Sequence, residues 1–122
     1  MFYDIFVFCV FCEPGVANLC KGLRTNMTLK QLHMQFCNIT HEGGRYIAEL
    51  LANSRSALEV INLNGNRLGG LGLAALCKGL IVNTKCETLA SADNMIDQVC
   101  IFSHFITVTS IHVIHIILYC IL

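Results

Sequence analysis

The chain has 122 residues, enough for one small domain and not two. Eight Lys and Arg balance eight Asp and Glu, so no net charge draws the chain toward nucleic acid or anionic lipid. Trp is absent and aromatic residues thin out after residue 12, which argues against a base-stacking platform.

Charge is distributed unevenly. Residues 1–12 carry a single charge, Asp4, and residues 98–122 carry none, so every other charge lies between Glu13 and Asp97. The composition divides the chain into an apolar segment over 1–14, a soluble-looking region over 15–97 and an uncharged apolar tail over 98–122. The start is a poor secretory signal, because no basic residue precedes its apolar run. Without secretion, and with Cys20, Cys37 and Cys77 on apolar positions of the repeating pattern, most of the eight cysteines read as reduced, buried small hydrophobes of a cytosolic protein rather than as a disulfide framework.

In chain order, the first predicted element is a degenerate strand anchored by Phe2, Ile5 and Val7, with no asparagine following in register. A helix follows over "GVANLCKGL" from Gly15. A strand is predicted in "TLKQLHMQFCNIT" from Thr28, with inward anchors Leu29, Leu32, Met34, Cys37 and Ile39. "GGRYIAELLANS" then places Ile47, Leu50 and Leu51 at helical spacing. A second strand, "ALEVINLNGNRLG" from Ala57, has anchors Leu58, Ile61, Leu63, Asn66 and Leu68. The helix "GLGLAALCKGL" follows, with Leu73, Leu76 and Leu80 on its buried face and Cys77 packed beside them. A third strand, "KCETLASADNMID" from Lys85, has anchors Cys86, Leu89, Ser91, Asn94 and Ile96. Ser91 and Cys86 stand where the pattern wants leucine, so this unit is the weakest.

These elements repeat. The three strands start 29 and then 28 residues apart, and Leu19-Cys20-Lys21-Gly22-Leu23 recurs as Leu76-Cys77-Lys78-Gly79-Leu80, 57 residues on. One unit cannot bury its own leucines, so the units must stack. Gly15, Gly43 and Gly72 are expected to relax the turn that opens each helix, with Gly69 and Gly70 loosening the turn before the last. Asn66 and Asn94 are expected to bond the backbone of the neighbouring turn.

The units alternate Cys37-Asn38-Ile39-Thr40 with Asn66-Arg67-Leu68-Gly69, the latter followed by Gly72, Leu76-Cys77 and Gly79-Leu80. This pattern resembles the leucine-rich repeat of the ribonuclease-inhibitor type, which is similar to repeats in the recognition regions of NOD-like receptors. The resemblance covers residues 15 to about 97. It implies an α/β fold, a short leucine-rich-repeat solenoid with parallel strands on the concave side and helices on the convex side. It also implies a binding module or scaffold, and names no partner. No polar capping unit is visible at either end, and the pattern stops after Asp97. Residues 1–12 and 98–122 therefore also read as sequence beyond the true boundaries of a longer array.

Other chemistries fit less well. Gly70 to Ala75 reads G-x-G-x-x-A with Asp93 further on, a weak dinucleotide fingerprint that the repeat's own turn explains better. Cys9 and Cys12 form one C-x-x-C, and the candidate second pair for a zinc site, His112 and His115, lies about a hundred residues away. Cys37 with His33 or His41 fails as a catalytic pair, since Cys37 is a core position. No cofactor, metal, small-molecule substrate or catalytic role is expected.

The residues between the inward anchors point to the concave face. The partner-binding candidates are Gln31, His33, Gln35, Phe36, Asn62 and Asn64. The expected columns are His33, Asn62 and Ala90, and then Gln35, Asn64 and Ala92. The expected function is binding of a protein partner through this face, in the cytoplasm. The alternative is a membrane-tethered repeat protein. Residues 99–122 are 24 residues long and uncharged, and as a helix would reach about 36 Å, enough to cross a bilayer.

Overall fold

A computed structural model describes residues 4–6 and 13–96. Strands and helices alternate: β1 (Asp4–Phe6), α1 (Glu13–Leu23), β2 (Gln31–His33), α2 (His41–Ala52), β3 (Val60–Asn62), α3 (Gly69–Val82) and β4 (Thr88–Ala90). The strands form one parallel sheet in chain order. Each crossover from one parallel strand to the next runs through a helix, so a strand layer faces a helix layer across a shared core.

The register follows the repeat. Leu32 pairs with Ile61 and Ile61 with Leu89, so the inward residues of successive units stand directly over one another. In each of these three strands the central residue is buried and its two neighbours half-buried. Ile5 pairs with Leu32 on the other side, which puts β1 at the first position of the sheet. The unit of β2 and α2 is called the first, that of β3 and α3 the second, and β4 with its following turn the third.

The core is continuous. Leu29, Leu32, Met34, Cys37 and Ile39 are buried, as are Leu58, Ile61, Leu63 and Leu68 and, from the third unit, Cys86 and Leu89. The helices contribute Ile47, Leu50, Leu51, Leu73, Leu76 and Leu80, together with Cys20 and Cys77. Each fully buried leucine or isoleucine is worth about 1.5–3 kcal/mol relative to exposure. None of the four cysteines among the described residues is in a disulfide. Ile96 is only partly buried against this core.

The helix glycines correct one expectation. Gly43 and Gly72 do not relax the turns that open the helices. They lie buried inside α2 and α3, which begin at His41 and Gly69. Gly15 likewise falls within α1, which begins at Glu13. The physical reason is close approach. A Cβ on Gly72 would come to 2.8 Å from Leu68 Cβ, and one on Gly44 to 3.0 Å from Leu68 Cδ2. A Cβ on Gly79 would meet the Ala48 carbonyl oxygen at 2.6 Å. Gly69 does adopt a left-handed conformation (φ +62°), as a turn residue should. Gly70 and Gly72 lie within α3 rather than in the loop before it, so they build no phosphate-binding turn.

Among the described residues no helix is long and apolar enough to cross a membrane. The tail over 98–122, the Cys9/Cys12 pair and His112/His115 lie outside the described residues.

Candidate protein-binding face

The strand face begins from how its turns are held. Asn66 is buried, and its carboxamide closes the turn of the preceding unit. Its Oδ1 accepts hydrogen bonds from the backbone N–H of Cys37 and of Ile39, both at 3.0 Å. Its Nδ2 donates to the carbonyls of Met34 (2.9 Å) and Leu63 (2.8 Å). Asn94 repeats the device one unit later, accepting from Leu68 N (3.3 Å) and donating to Leu63 O (2.8 Å) and Ala92 O (3.0 Å). Turns that would bury unpaired amides are thereby satisfied across the unit boundary.

A second set of asparagines, unanticipated from sequence, does the same at the helix ends. Asn53 Nδ2 donates back to Arg24 O (2.8 Å), and Asn83 Nδ2 to Leu51 O (2.9 Å). Asn83 Oδ1 accepts from Lys85 N and Cys86 N, just as Asn26 Oδ1 accepts from Thr28 N and Leu29 N. In the second unit the work is shared, with Asn53 holding Arg55 N and Ser56 holding Leu58 N. The signal was an asparagine shortly after each helix, at uneven distances from the next leucine.

The candidate residues do come together. His33, Asn62 and Ala90 form one backbone column, and Gln31, Val60 and Thr88 the column beside it. Gln31, His33, Gln35, Asn62 and Asn64 are half-buried rather than freely solvated. Several are engaged locally. His33 Nε2 lies 3.1 Å from Gln31 Oε1. Asn62 Oδ1 accepts from Asn64 N (3.0 Å), and Asn64 Oδ1 accepts from Ala92 N (2.8 Å). Gln35 Oε1 is buried without a hydrogen-bond partner.

Phe36 differs from the rest. It is 72% exposed, and its φ of 54° is in the left-handed region. The same turn position is filled by Gly65 (φ 70°) in the second unit and Asp93 (φ 55°) in the third. The fold demands this conformation once per unit, and Phe is a costly residue to put there, by roughly 1–2 kcal/mol. The Phe36 ring lies against the Gly65 backbone, where any side chain on residue 65 would clash with it.

On the helix side, α2 and α3 bound a shallow groove of about 410 Å³ lined by Ala48, Ala52, Leu71, Ala74 and Gly79, with Arg45 and Lys78 beside it. Leu71 is 72% exposed there. The Glu42 carboxylate, 3.0 Å from the Arg45 guanidinium, favours its charged form. Among the described residues no three His, Cys, Asp or Glu side chains cluster to hold a metal.

The leucine-rich-repeat family pattern matches residues 25–48 and 57–77. Ribonuclease inhibitor from Mus musculus is 38% identical over 79 residues, covering 63% of this chain and 17% of that protein. NACHT, LRR and PYD domains-containing protein 13 from Homo sapiens is 33% identical over 72 residues, covering 59% of this chain and 7% of that protein. The chain thus spans under a fifth of the length of these relatives. Among solved structures, Leiomodin-1 actin-binding site 2 superposes with a TM-score of 0.76 at 15% identity, over 84% of this chain and 61% of that one. At that identity the likeness speaks for the fold alone. The stacked strand–helix units, the asparagine-closed turns and these matches together identify leucine-rich repeats in this chain, similar to those of ribonuclease inhibitor.

Proposed function

We propose that the chain is a protein-recognition module that binds its partner through the strand face, with Phe36 as the anchor and Gln31, His33, Gln35, Asn62 and Asn64 as the polar surround. The observation that carries this reading is Phe36 itself. It is an exposed aromatic kept in a left-handed conformation, with one side of its ring already seated on Gly65. Strain retained at an exposed position is a mark of function, and a pinned aromatic surrenders little entropy on binding. Inhibition of a ribonuclease is not carried over from the relatives, because the proposed face presents neutral amides and an imidazole rather than acidic groups that would grip a basic enzyme. No catalytic role is proposed, and the site of action is taken as cytoplasmic.

Affinity capture with the wild-type chain, quantified against variants, tests the reading. Phe36→Ala should weaken retention of the captured protein about tenfold or more, as loss of a hot spot does. Leu71→Arg, on the helix side, should leave retention unchanged. Loss by the second variant and not the first would move the binding surface to the helices. A second reading, a membrane tether through residues 99–122, rests on the absence of charge in that stretch. Full extraction by alkaline carbonate would reject it.

A further inference from the structure

The chain holds one Asn-Gly pair, Asn64-Gly65, and its surroundings are unusual for so reactive a sequence. An Asn-Gly peptide loses ammonia when the glycine nitrogen attacks the asparagine carboxamide carbon. That attack needs a free N–H and a side chain able to fold back over it. Here both are committed to the third unit. Gly65 N–H donates to Ala92 O at 2.9 Å. Asn64 Oδ1 accepts from Ala92 N at 2.8 Å, which swings the carboxamide away from Gly65 and toward the next strand. On the other side, Asn64 O accepts from Phe36 N at 3.0 Å, and the Phe36 ring covers Gly65. The pair is clasped between units, and one half of the clasp is residue 92.

That half belongs to the weakest unit. Its inward positions hold Cys86 and Ser91 instead of leucine, and Ser91, only 2% exposed, has a hydroxyl with no hydrogen-bond partner. A buried hydroxyl left unpaired costs about 1–3 kcal/mol, and a repeat with few inward leucines opens below the global unfolding free energy. We infer that Asn64-Gly65 is a chemical modification site, held closed while the third unit is docked and converted to aspartate and isoaspartate when that unit lifts away.

The chemistry closes on the residues and water. A water-derived base takes the Gly65 N–H proton, and the nitrogen forms a bond to Asn64 Cγ. The Cγ–Nδ2 bond breaks and ammonia leaves carrying a proton. One water then opens the resulting succinimide at either carbonyl, so one water is consumed and one negative charge gained. The aspartate product still offers Ala92 N an acceptor. The isoaspartate product inserts a methylene into the main chain between β3 and Gly65, which shifts Gly65 N out of line with Ala92 O and unseats Phe36. Opening of the third unit would thus be recorded irreversibly in the covalent structure.

The test uses the full chain at neutral pH across a urea series that stops short of global unfolding. Ammonia release, enzymatic methylation of isoaspartate and the mass of the tryptic peptide 56–67 report the reaction. Amide exchange at Gly65 and Ala92 reports local opening, and exchange at Leu32 and Ile61 reports global unfolding. The native rate should lie at least about tenfold below that of the urea-unfolded chain, and should climb in step with Gly65 and Ala92 exchange before Leu32 responds. Leu89→Ala should accelerate it about tenfold or more. If that variant unfolds altogether, the urea series on the wild-type chain decides alone. A native rate equal to the unfolded rate, or one that rises only with global unfolding, overturns the inference.

Discussion

Asn66 shows how much one side chain can hold. It satisfies two amides and two carbonyls from two units, and all lie where water cannot replace it. Asn66→Ala strands those groups, and with about 1–3 kcal/mol for each buried group left unpaired, partly relieved by relaxation, the expected loss is about 3–5 kcal/mol. Asn66→Asp keeps the acceptor but turns a carboxylate oxygen toward the Met34 and Leu63 carbonyls, so it should be no better tolerated. Urea denaturation midpoints at constant m-value measure both. Asn66 was legible in sequence because it holds a fixed place in the repeated strand–turn pattern, although most of its partners lie a unit away. Asn53 and Asn83 were not, because they follow their helices at uneven distances from the next anchor, so no fixed position in the pattern marks them. The state of Asn62 and Asn64 was hidden for a similar reason. Alternation places them on the strand face, but only the three-dimensional turn shows that their amides already serve Asn64 N and Ala92 N.

Between elements, the decisive contacts are between α2 and α3, where glycine takes the place of side chains. Gly22 and Gly79 occupy matching positions in a repeated five-residue stretch, yet their surroundings differ. Gly79 faces the Ala48 backbone, whereas a Cβ on Gly22 would find nothing within 4 Å. The paired substitutions should therefore part company. Gly79→Leu must push α3 off α2 and should cost about 2 kcal/mol or more by overpacking. Gly22→Ala should stabilise by about 0.4–1 kcal/mol, because it removes a flexible residue from a helix without a clash. Thermal melts of the two variants beside the wild type check the opposite signs. Sequence alone assigned Gly15, Gly43 and Gly72 to turns because glycine's two uses, left-handed conformation and close approach, look identical in one dimension. Gly69 took the first use and Gly72 and Gly79 the second.

At the scale of the molecule, the repeat period carried the architecture. A spacing of 29 and 28 residues is enough to place Leu32, Ile61 and Leu89 in register, since a one-residue slip would turn every inward leucine outward. The electrostatics of the interior are also set collectively. Burial between α1 and α2, reinforced by Glu49 and opposed by Arg24, raises the Cys20 thiol from its ordinary 9.0 to about 12. The folded chain keeps that proton where the unfolded chain releases it. The thiol therefore leaves stability unchanged below pH 9 and erodes it as pH rises from 9 toward about 12. Compared by urea titration over that range, the wild type should lose stability faster than Cys20→Ala, whose curve lacks this contribution.

The glycines between helices also set a curvature. Neighbouring strands are spaced by about 4.8 Å and packed helices by about 8–10 Å, so a two-layer stack must bend around its strands. The bend depends on the difference between the two spacings. By letting α3 settle onto α2 with backbone against backbone, Gly44, Gly72 and Gly79 shorten the outer arc while the inner one stays fixed by hydrogen bonds. The radius is therefore larger than bulky helix contacts would impose, and the inner face is correspondingly flatter. A flat inner face would suit a broad, shallow partner surface better than a narrow protruding loop, so the residues that tune the shape of the proposed binding face lie on the opposite side of the protein from it.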